Sequence, residues 1–279
     1  MVRYLVFIFV FLFVYHNLVS QITCAPEDST LFRQKLIQLQ QIETQNLGDS
    51  IVVIGKSFLD TPYVEKTLEI GDTETLVMNL RGLDCTTFVE NVLAFGLQLK
   101  RGDTRFIDFA KNLETIRYRN STVNGYSSRL HYFTDWIRTN QAKGLVLEVT
   151  SDLGGEMVQK SIDFMGSHRN LYPFLADDTN YTEILKVEAE LKEEDLCVLP
   201  QNRIKEQEKN IKNGDIIALS TSINGLDVTH TGFAIRVDGR IHLLHASTSG
   251  SVTITKVPLV DYLKNIKHNT GIIIARPTL

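Results

Sequence analysis

Apolar residues recur at intervals of three and four along much of the chain before Pro200, the spacing that places them on one face of a helix. This pattern predicts amphipathic helices separated by short polar connections. One stretch, residues 67–80, has no period that decides between helix and strand. The predicted helices cover residues 30–42, 50–59, 85–101, 106–118, 156–165 and 182–191.

After Pro200 the pattern changes to an alternation with a period of two, interrupted by turn residues. Helices followed by strands are typical of the α+β class, here an antiparallel sheet with helices on one face. No shift in composition marks a boundary, so we expect one domain over residues 21–279, helix-rich at 28–199 and strand-rich at 200–279. The predicted strands are residues 215–219, 231–237, 240–244, 252–257 and 271–275.

One cysteine stands where a helix is predicted to begin. Asp84 is a residue type that caps helix N-termini, which places Cys85 in the first turn. Cys85 shares a face with Phe88 and Val92, and that face should pack inward. The positive end of the helix dipole favours the thiolate, the reactive form of a nucleophile. The alternative is a buried cysteine that only fills the core.

Two histidines are predicted to meet on a hairpin. Asp238-Gly239 lies between two apolar strands and predicts a two-residue type I′ turn. In that register Gly232 faces His245, and His230 becomes a diagonal neighbour of His245 on the same face of the sheet. His242 falls on the other face. A three-residue loop would shift the register by one and separate the two histidines.

A cysteine at a helix start and two histidines on one sheet face suit nucleophilic catalysis. His230 would take the thiol proton, and His245 would accept a hydrogen bond from the other ring nitrogen of His230. Asp227 is a weaker candidate for that orienting role. Each histidine alone is more often structural, but the three residues together favour catalysis. The remaining alternative is a zinc site formed by Cys85, His131, His230 and His245.

Composition adds the cellular setting. The chain has 279 residues, a formal net charge of −4 and 43% hydrophobic residues, which does not favour nucleic-acid binding. Arg3 followed by the apolar run 4–15 predicts a signal peptide over residues 1–20, with an uncleaved anchor as the alternative. A lipoprotein anchor at Cys24 fits less well. We expect export to a periplasm and no stable membrane span.

The chain contains three cysteines, and an odd count in an exported protein leaves one of them unpaired. A bridge between Cys24 and Cys197 would leave Cys85 as the free thiol. The sequence does not decide whether that bridge forms.

Four short segments carry a resemblance to a known family. They are Thr61-Pro62-Tyr63, Asp84-Cys85, His230-Thr231-Gly232 and His245-Ala246. Together they resemble the NlpC/P60 cysteine peptidases of the cell wall, and the match is closer to the N-acetylmuramoyl-L-alanine amidase-like branch once classed as DUF1460. Similar stretches run across nearly the whole mature chain. The resemblance implies a papain-like fold, in which the helix bearing the nucleophile packs on the antiparallel sheet beside additional helices.

The resemblance also implies roles for single residues. Cys85 would be the nucleophile, His230 the base and His245 the third member, while Tyr63 would bind substrate or help to hold the oxyanion. Thr86-Thr87 departs from the Ser-Gly that commonly follows the cysteine, and the connection from Tyr63 to Cys85 is longer than usual. Both departures agree with the amidase-like branch.

Further substrate-site candidates lie between the cysteine and the hairpin or just before the cysteine. His131 and Trp136 form a polar and aromatic cluster suited to a sugar or peptide, although a core role for Trp136 is equally well motivated. Glu69 and Asn79 are suggested by the resemblance alone. His168 is undecided.

The expected function is a cysteine amidase that cleaves the bond between N-acetylmuramic acid and L-alanine through a thioester. Its partners would be peptidoglycan fragments, it would need no cofactor or metal, and it would act as a monomer. The first alternative is an endopeptidase that cuts the stem peptide after D-glutamate. The second is a wall-binding protein without catalytic activity.

Overall fold

A computed structural model of the protein describes residues 21–279, so the signal peptide predicted for residues 1–20 lies outside the described part. No helix within residues 21–279 combines the length and the apolar character needed to span a membrane. The α-helices of this part are α1 (Pro26–Gln40), α2 (Leu47–Lys56), α3 (Cys85–Arg101), α4 (Phe106–Arg117), α5 (Phe133–Ala142), α6 (Phe164–Ser167), α7 (Asp178–Leu191), α8 (Ile204–Gln207) and α9 (Leu259–Leu263).

The strands form one large antiparallel sheet and one short parallel pair. The strands are β1 (Ile22–Thr23), β2 (Leu76–Val77), β3 (Val146–Glu148), β4 (Glu156–Val158), β5 (Leu196–Pro200), β6 (Ile216–Thr221), β7 (Val228–Val237), β8 (Arg240–Ala246), β9 (Val252–Ile254) and β10 (Asn269–Pro277). In the large sheet the order is β4-β5-β10-β6-β7-β8-β9, and β3 pairs with the C-terminal end of β10, while β1 and β2 form the parallel pair. The predicted α+β class with an antiparallel sheet is confirmed.

Alternate residues of the sheet enter two different cores, as the pleat of a strand requires. Phe233 and Leu244 join the core formed with the long helices. Ala234 and Leu243 join a second core on the other face, where Leu259 of α9 packs. Helices therefore cover both faces of the sheet and not the single face that the sequence predicted, with the long helices on one side and short α8 and α9 on the other.

Helix α3 begins and ends as its sequence predicts. The Asp84 side chain accepts a hydrogen bond from the Thr87 N–H at 2.7 Å, and the Asp84 N–H donates to Thr87 Oγ1 at 2.9 Å. This reciprocal cap fixes Cys85 as the first helical residue. Gly102 ends the helix in the left-handed conformation, with φ of 70°.

Aromatic contacts attach α3 to the sheet. The Phe88 ring meets the Phe233 ring edge-on at 5.7 Å between centroids, and the Phe58 ring at 6.1 Å. All three side chains are fully buried. The cysteine at the start of α3 is therefore held at a fixed position relative to β7.

Buried polar contacts hold the segment that leads into α3. The Arg117 guanidinium binds Glu90 Oε2 at 2.7 Å and the Val77 carbonyl oxygen at 2.6 Å. Asp28 of α1 accepts the Leu80 N–H at 2.9 Å. These contacts tie β2 and the turn before Cys85 to the helices behind them.

The β7–β8 hairpin has the predicted register. Phe233 pairs with Leu244, and Val237 pairs with Arg240 across a two-residue turn. Both turn residues, Asp238-Gly239, have positive φ, at 48° and 82° respectively, as a type I′ turn requires.

The predicted helix at residues 156–165 is wrong. Strand β4 begins there and pairs with β5, and only the short α6 follows. Met157 is 65% exposed, so the apolar positions of this segment do not form an inward helical face. Strand pairing with Leu196–Pro200, which the sequence pattern did not reveal, outweighs the local helical spacing.

Candidate active site

A cavity of about 140 Å³ opens beside the first turn of α3. Cys85 and His230 both line it, as do His131, Asp227 and Tyr172. The start of a helix, the start of β7 and the turn before α5 therefore converge on one small space. Two of the three residues predicted to be catalytic contribute to its wall.

The two hairpin histidines are hydrogen-bonded to each other. His230 Nε2 lies 2.6 Å from His245 Nδ1, and the two rings are nearly perpendicular at 88°. The predicted meeting of these side chains is confirmed. A side chain at Gly232 would prevent it, because a Cβ there would lie 2.8 Å from the His245 Cβ.

Both histidines are neutral at neutral pH. Burial, and then the neighbouring His245, lower the pKa of His230 to about 3. Burial lowers the pKa of His245 to about 4. Because the pair holds one hydrogen between Nε2 and Nδ1, His230 can donate to His245 while its Nδ1 remains free to accept a proton.

The environment of Cys85 differs from the sequence expectation that its position favours a thiolate. Burial, and then the negative charge of Asp84, raise the pKa of the Cys85 thiol to about 11. Hydrogen bonding from Thr231 and Thr86 acts in the opposite direction. Desolvation outweighs the helix start, so the resting site holds a thiol and an imidazole without charge.

Thr231 also joins the strand to the helix. Its Oγ1 donates to the Cys85 carbonyl oxygen at 3.0 Å. The residue follows His230 directly on β7. This bond acts together with the Phe88–Phe233 contact to hold strand β7, which carries His230, against helix α3, which carries Cys85.

Tyr63 lies close enough to the thiol for their charges to interact. Burial, and then the negative charges of Cys85 and Asp84, raise the pKa of Tyr63 to about 12. Its N–H donates to the Gly250 carbonyl oxygen at 2.8 Å, which fixes the backbone beside the hairpin. Tyr63 thus keeps its proton and remains a hydrogen-bond donor.

His131 lines the cavity, whereas Glu69 lies behind it. His131 Nε2 lies 2.9 Å from the Tyr126 carbonyl oxygen. The Tyr126 hydroxyl in turn donates to Glu69 Oε1 at 3.0 Å, and Arg129 lies 3.6 Å from the same oxygen. Glu69 therefore supports the turn that carries His131, and its substrate-binding role stays a prediction.

Asn79 and Trp136 do not line the cavity. The Asn79 Oδ1 accepts the N–H groups of Arg81 and Gly82 at 3.0 and 3.2 Å, which shapes the turn before α3. Trp136 is fully buried and stacks on Phe133 with centroids 4.9 Å apart. The core role that the sequence left open for Trp136 agrees with its place, and substrate binding by either residue stays a prediction.

Asp227 hydrogen-bonds the start of helix α5 and not the histidines. Its Oδ2 accepts the N–H and the hydroxyl of Thr134, each at 2.8 Å, and its Oδ1 accepts the Val228 N–H at 2.7 Å. These bonds join the start of α5 to the start of β7. His230 is hydrogen-bonded to His245, the residue that the sequence favoured for this contact, and not to Asp227.

Two tyrosines near the site were missed by sequence reasoning. The Tyr262 ring packs against the His245 ring, with centroids 5.5 Å apart and planes at 71°. Burial and the Cys85 charge raise the pKa of Tyr262. Tyr172 lines the cavity from the segment before α7. Only the i, i+4 pair Leu259 and Leu263 hinted at the short helix that carries Tyr262.

The three cysteines are unpaired in the described residues, with Cys24 exposed and Cys197 buried. Within residues 21–279, no group of three or more His, Cys, Asp or Glu side chains is placed to hold a metal ion. The residues of the zinc alternative therefore do not form such a group. His168 stacks on Phe164 at 4.1 Å between centroids and is not part of the cavity wall.

Comparisons with known proteins agree on a family. A family model described as AmiA-like, N-acetylmuramoyl-L-alanine amidase-like, matches residues 53–272. An N-acetylmuramoyl-L-alanine amidase from Bacteroides uniformis has 39% identity and a TM-score of 0.80, over 84% of this chain and 99% of that one. A search of curated proteins found no match.

Two further solved structures are similar. A Bacteroides fragilis protein described as a xylanase has 42% identity and a TM-score of 0.76, over 80% of this chain and 99% of that one. A Legionella pneumophila protein assigned to DUF1460 has 23% identity and a TM-score of 0.67, over 91% and 95%. The similarity to the Legionella pneumophila protein shows a shared fold.

Proposed function

Because the chain belongs to the AmiA-like, N-acetylmuramoyl-L-alanine amidase-like family, we propose that it is a cysteine amidase of peptidoglycan, with Cys85 as nucleophile. The bond cleaved is the amide between the lactyl group of N-acetylmuramic acid and L-alanine. The observation that carries the mechanism is the shared cavity of Cys85 and His230, with His230 bonded to His245. The papain-like arrangement of the fold belongs to the same proposal.

Attack begins from the uncharged Cys85 thiol and the uncharged His230 imidazole. As Cys85 Sγ bonds to the carbonyl carbon, its proton passes to His230 Nδ1, and the His230 Nε2–H donates to His245. His245 holds the ring orientation and stabilises the imidazolium that forms. The carbonyl oxygen becomes an oxyanion, which receives hydrogen bonds from the first turn of α3 and from the Tyr63 hydroxyl.

Collapse of this intermediate breaks the C–N bond. His230 returns its proton to the leaving nitrogen, which departs as the amine of L-alanine, and a thioester remains on Cys85. Water then attacks the thioester carbon and gives a proton to His230. The C–S bond breaks, the sulfur is reprotonated, and the N-acetylmuramic acid carboxyl group is released.

The experiment uses the protein lacking residues 1–20, incubated with defined muropeptides and followed by mass spectrometry. We expect free N-acetylmuramic acid and an intact stem peptide from the wild type, and no product from Cys85→Ala. Cys24→Ala is the matched control, because Cys24 is exposed and outside the cavity. A sugar that still carries L-Ala-D-Glu would instead identify an endopeptidase, and full activity of Cys85→Ala would refute the cysteine mechanism.

Export and a monomeric state are part of the proposal. Residues 1–20 carry Arg3 and an apolar run typical of a cleaved signal. N-terminal sequencing of the protein from the periplasmic fraction should give Gln21, whereas a start at Met1 or a lipid-modified Cys24 would contradict cleavage after Ser20. Light scattering should give the mass of one chain.

A further inference from the structure

His131 is held in one orientation beside the cavity. Its Nε2 lies 2.9 Å from the Tyr126 carbonyl oxygen, and its ring packs on the Tyr126 ring with centroids 4.3 Å apart. His131 is also one of the residues that line the cavity beside Cys85. A rotation of the imidazole would break both contacts with Tyr126.

The contact with Tyr126 decides the hydrogen-bonding character of both ring nitrogens. A carbonyl oxygen only accepts hydrogen bonds, so Nε2 of His131 carries the hydrogen. Burial, and then the charge of Arg129, lower the pKa of His131 well below 6.5, which keeps the ring neutral. In a neutral imidazole with Nε2 protonated, Nδ1 is an acceptor.

That acceptor is available to a bound molecule. In the part of the chain that the structure describes, Nδ1 of His131 has no hydrogen-bond partner and is not sealed from solvent. His131 and Cys85 line the same cavity of about 140 Å³, so a group bound beside Cys85 occupies the space that His131 borders. Asp227, which also lines the cavity, already uses both carboxylate oxygens on Thr134 and Val228.

We propose that His131 is a specificity-determining residue whose Nδ1 accepts a hydrogen bond from an amide N–H or a hydroxyl group of the substrate, beside the scissile amide. The inference rests on the proposed amidase function, whose substrate offers both kinds of donor. A bare nitrogen lone pair repels carboxylate oxygens. The carboxylates of the stem peptide are therefore bound away from His131.

Three variants separate the two ring nitrogens. His131→Asn keeps an acceptor oxygen near the position of Nδ1, His131→Gln keeps an N–H near Nε2 for Tyr126, and His131→Ala keeps neither. With N-acetylmuramoyl-L-Ala-D-Glu, we expect KM to rise about tenfold in the Gln and Ala variants with kcat little changed, and to stay within about threefold in the Asn variant. Equal KM values for the Asn and Gln variants would overturn the inference, with thermal melts confirming that all three fold.

Modified substrates identify the donor. One analogue is methylated at every amide nitrogen except the scissile one, and a second is methylated at the sugar hydroxyls. The analogue that lacks the donor should have a raised KM in the wild type and no further rise in His131→Gln. Additive effects for both analogues would show that neither group bonds His131 and would overturn the proposal.

A measurement that needs no turnover checks the tautomer. The ¹⁵N chemical shifts of His131 should show a protonated Nε2 and a bare Nδ1 between pH 6 and 8, and the opposite tautomer would refute the inference even in an active amidase. If the wild type cleaves no muropeptide while the shifts are as expected, the proposed function fails. In that case the inference fails because its substrate is wrong, while the hydrogen-bonding character of His131 is as described.

Discussion

The cavity beside Cys85 has two walls that the chain builds in different ways. One wall is strand β7, part of a hairpin whose two-residue turn and strict alternation bring His230 to His245 of β8. The residues involved lie within about twenty positions of one another, so local rules suffice. We assign the chemical step to this wall.

The second wall, at the start of α5 and α6, depends on contacts between distant segments. Tyr132 and Met165 line it, and the Tyr132 hydroxyl donates to Glu188 Oε1 of α7 at 2.7 Å and accepts the Met165 N–H at 2.8 Å. Glu188 also accepts the Gly166 N–H at 2.8 Å. We assign substrate binding to this wall, so changes on the two walls should separate kcat from KM.

The largest expected effect is loss of the base. His230→Ala should lower kcat/KM by about a thousandfold, because the thiol of Cys85 then has no proton acceptor. Hydrolysis of a muropeptide measures this change, and circular dichroism checks the fold. His268→Asn is the control, since His268 is exposed and its left-handed φ of 66° suits asparagine. A kcat/KM of His230→Ala equal to that of the wild type would show that the hairpin takes no part in the chemical step.

The next largest effect tests the geometry of the hairpin. An alanine Cβ at position 232 would lie 2.7 Å from the Leu244 carbonyl oxygen and 2.8 Å from the His245 Cβ. Gly232→Ala should therefore separate the strands at the histidine pair, with a fall of about a hundredfold in kcat and about 1–3 kcal/mol in the free energy of unfolding.

The same substitution elsewhere in the hairpin is the control. Gly239 has φ of 82° and no atom within 4 Å of an added Cβ, so Gly239→Ala should cost about 1 kcal/mol of stability and leave kcat unchanged. Equal kcat values for the two alanine variants would show that the close approach at Gly232 does not position the histidines.

These features were predictable because each follows from neighbouring residues. Asp84 capping through Thr87 needs only a helix start, and Asp238-Gly239 specifies a turn whose register makes His230 and His245 diagonal neighbours on one face of the sheet. The resemblance to a family added their roles. Burial raises the pKa of the Cys85 thiol to about 11 and so opposes the expected thiolate, and the sequence does not show how far burial desolvates that thiol.

Other parts of the site and its surroundings could not be predicted, because they depend on contacts between segments that are distant in the sequence. Residues 156–165 carry helix-like spacing, yet β4 forms because β5 offers a pairing partner about forty positions away. Tyr262 reaches His245 from a five-residue helix, too short for a period to reveal. The acceptor nitrogen of His131 depends on the Tyr126 carbonyl oxygen, a backbone atom with no side-chain signal.

The buried histidines also make stability depend on pH. The pKa of His230 is about 3 in the fold and about 6.5 in an unfolded chain, so between these values only the unfolded chain binds the proton. The free energy of unfolding should therefore fall as pH falls, by up to about 1.4 kcal/mol per pH unit for this group.

Denaturant titrations of wild type and His230→Gln between pH 6.5 and 4.5 measure this effect. Subtracting the His230→Gln curve from the wild-type curve removes the contribution of the buried carboxyl groups Glu74, Glu90 and Asp227, which both proteins share. Their raised pKa values change the free energy of unfolding in the opposite direction. The wild type should have the steeper decline. Parallel curves would mean that the histidine is charged in the folded protein.

The smallest expected effect tests the substrate wall. Tyr132→Phe leaves the Met165 N–H without its partner, so the segment that lines the cavity should shift while the hairpin stays in place. We expect KM to rise about fivefold, kcat to stay within about twofold, and stability to fall by about 1–3 kcal/mol.

Tyr118→Phe is the matched control, because that hydroxyl also donates to a glutamate, Glu74, at 2.7 Å but lies away from the cavity. It should lose similar stability with KM unchanged. If Tyr132→Phe instead lowers kcat at constant KM, the two walls do not divide binding from chemistry, and the long-range contacts through Glu188 position the reacting groups as well.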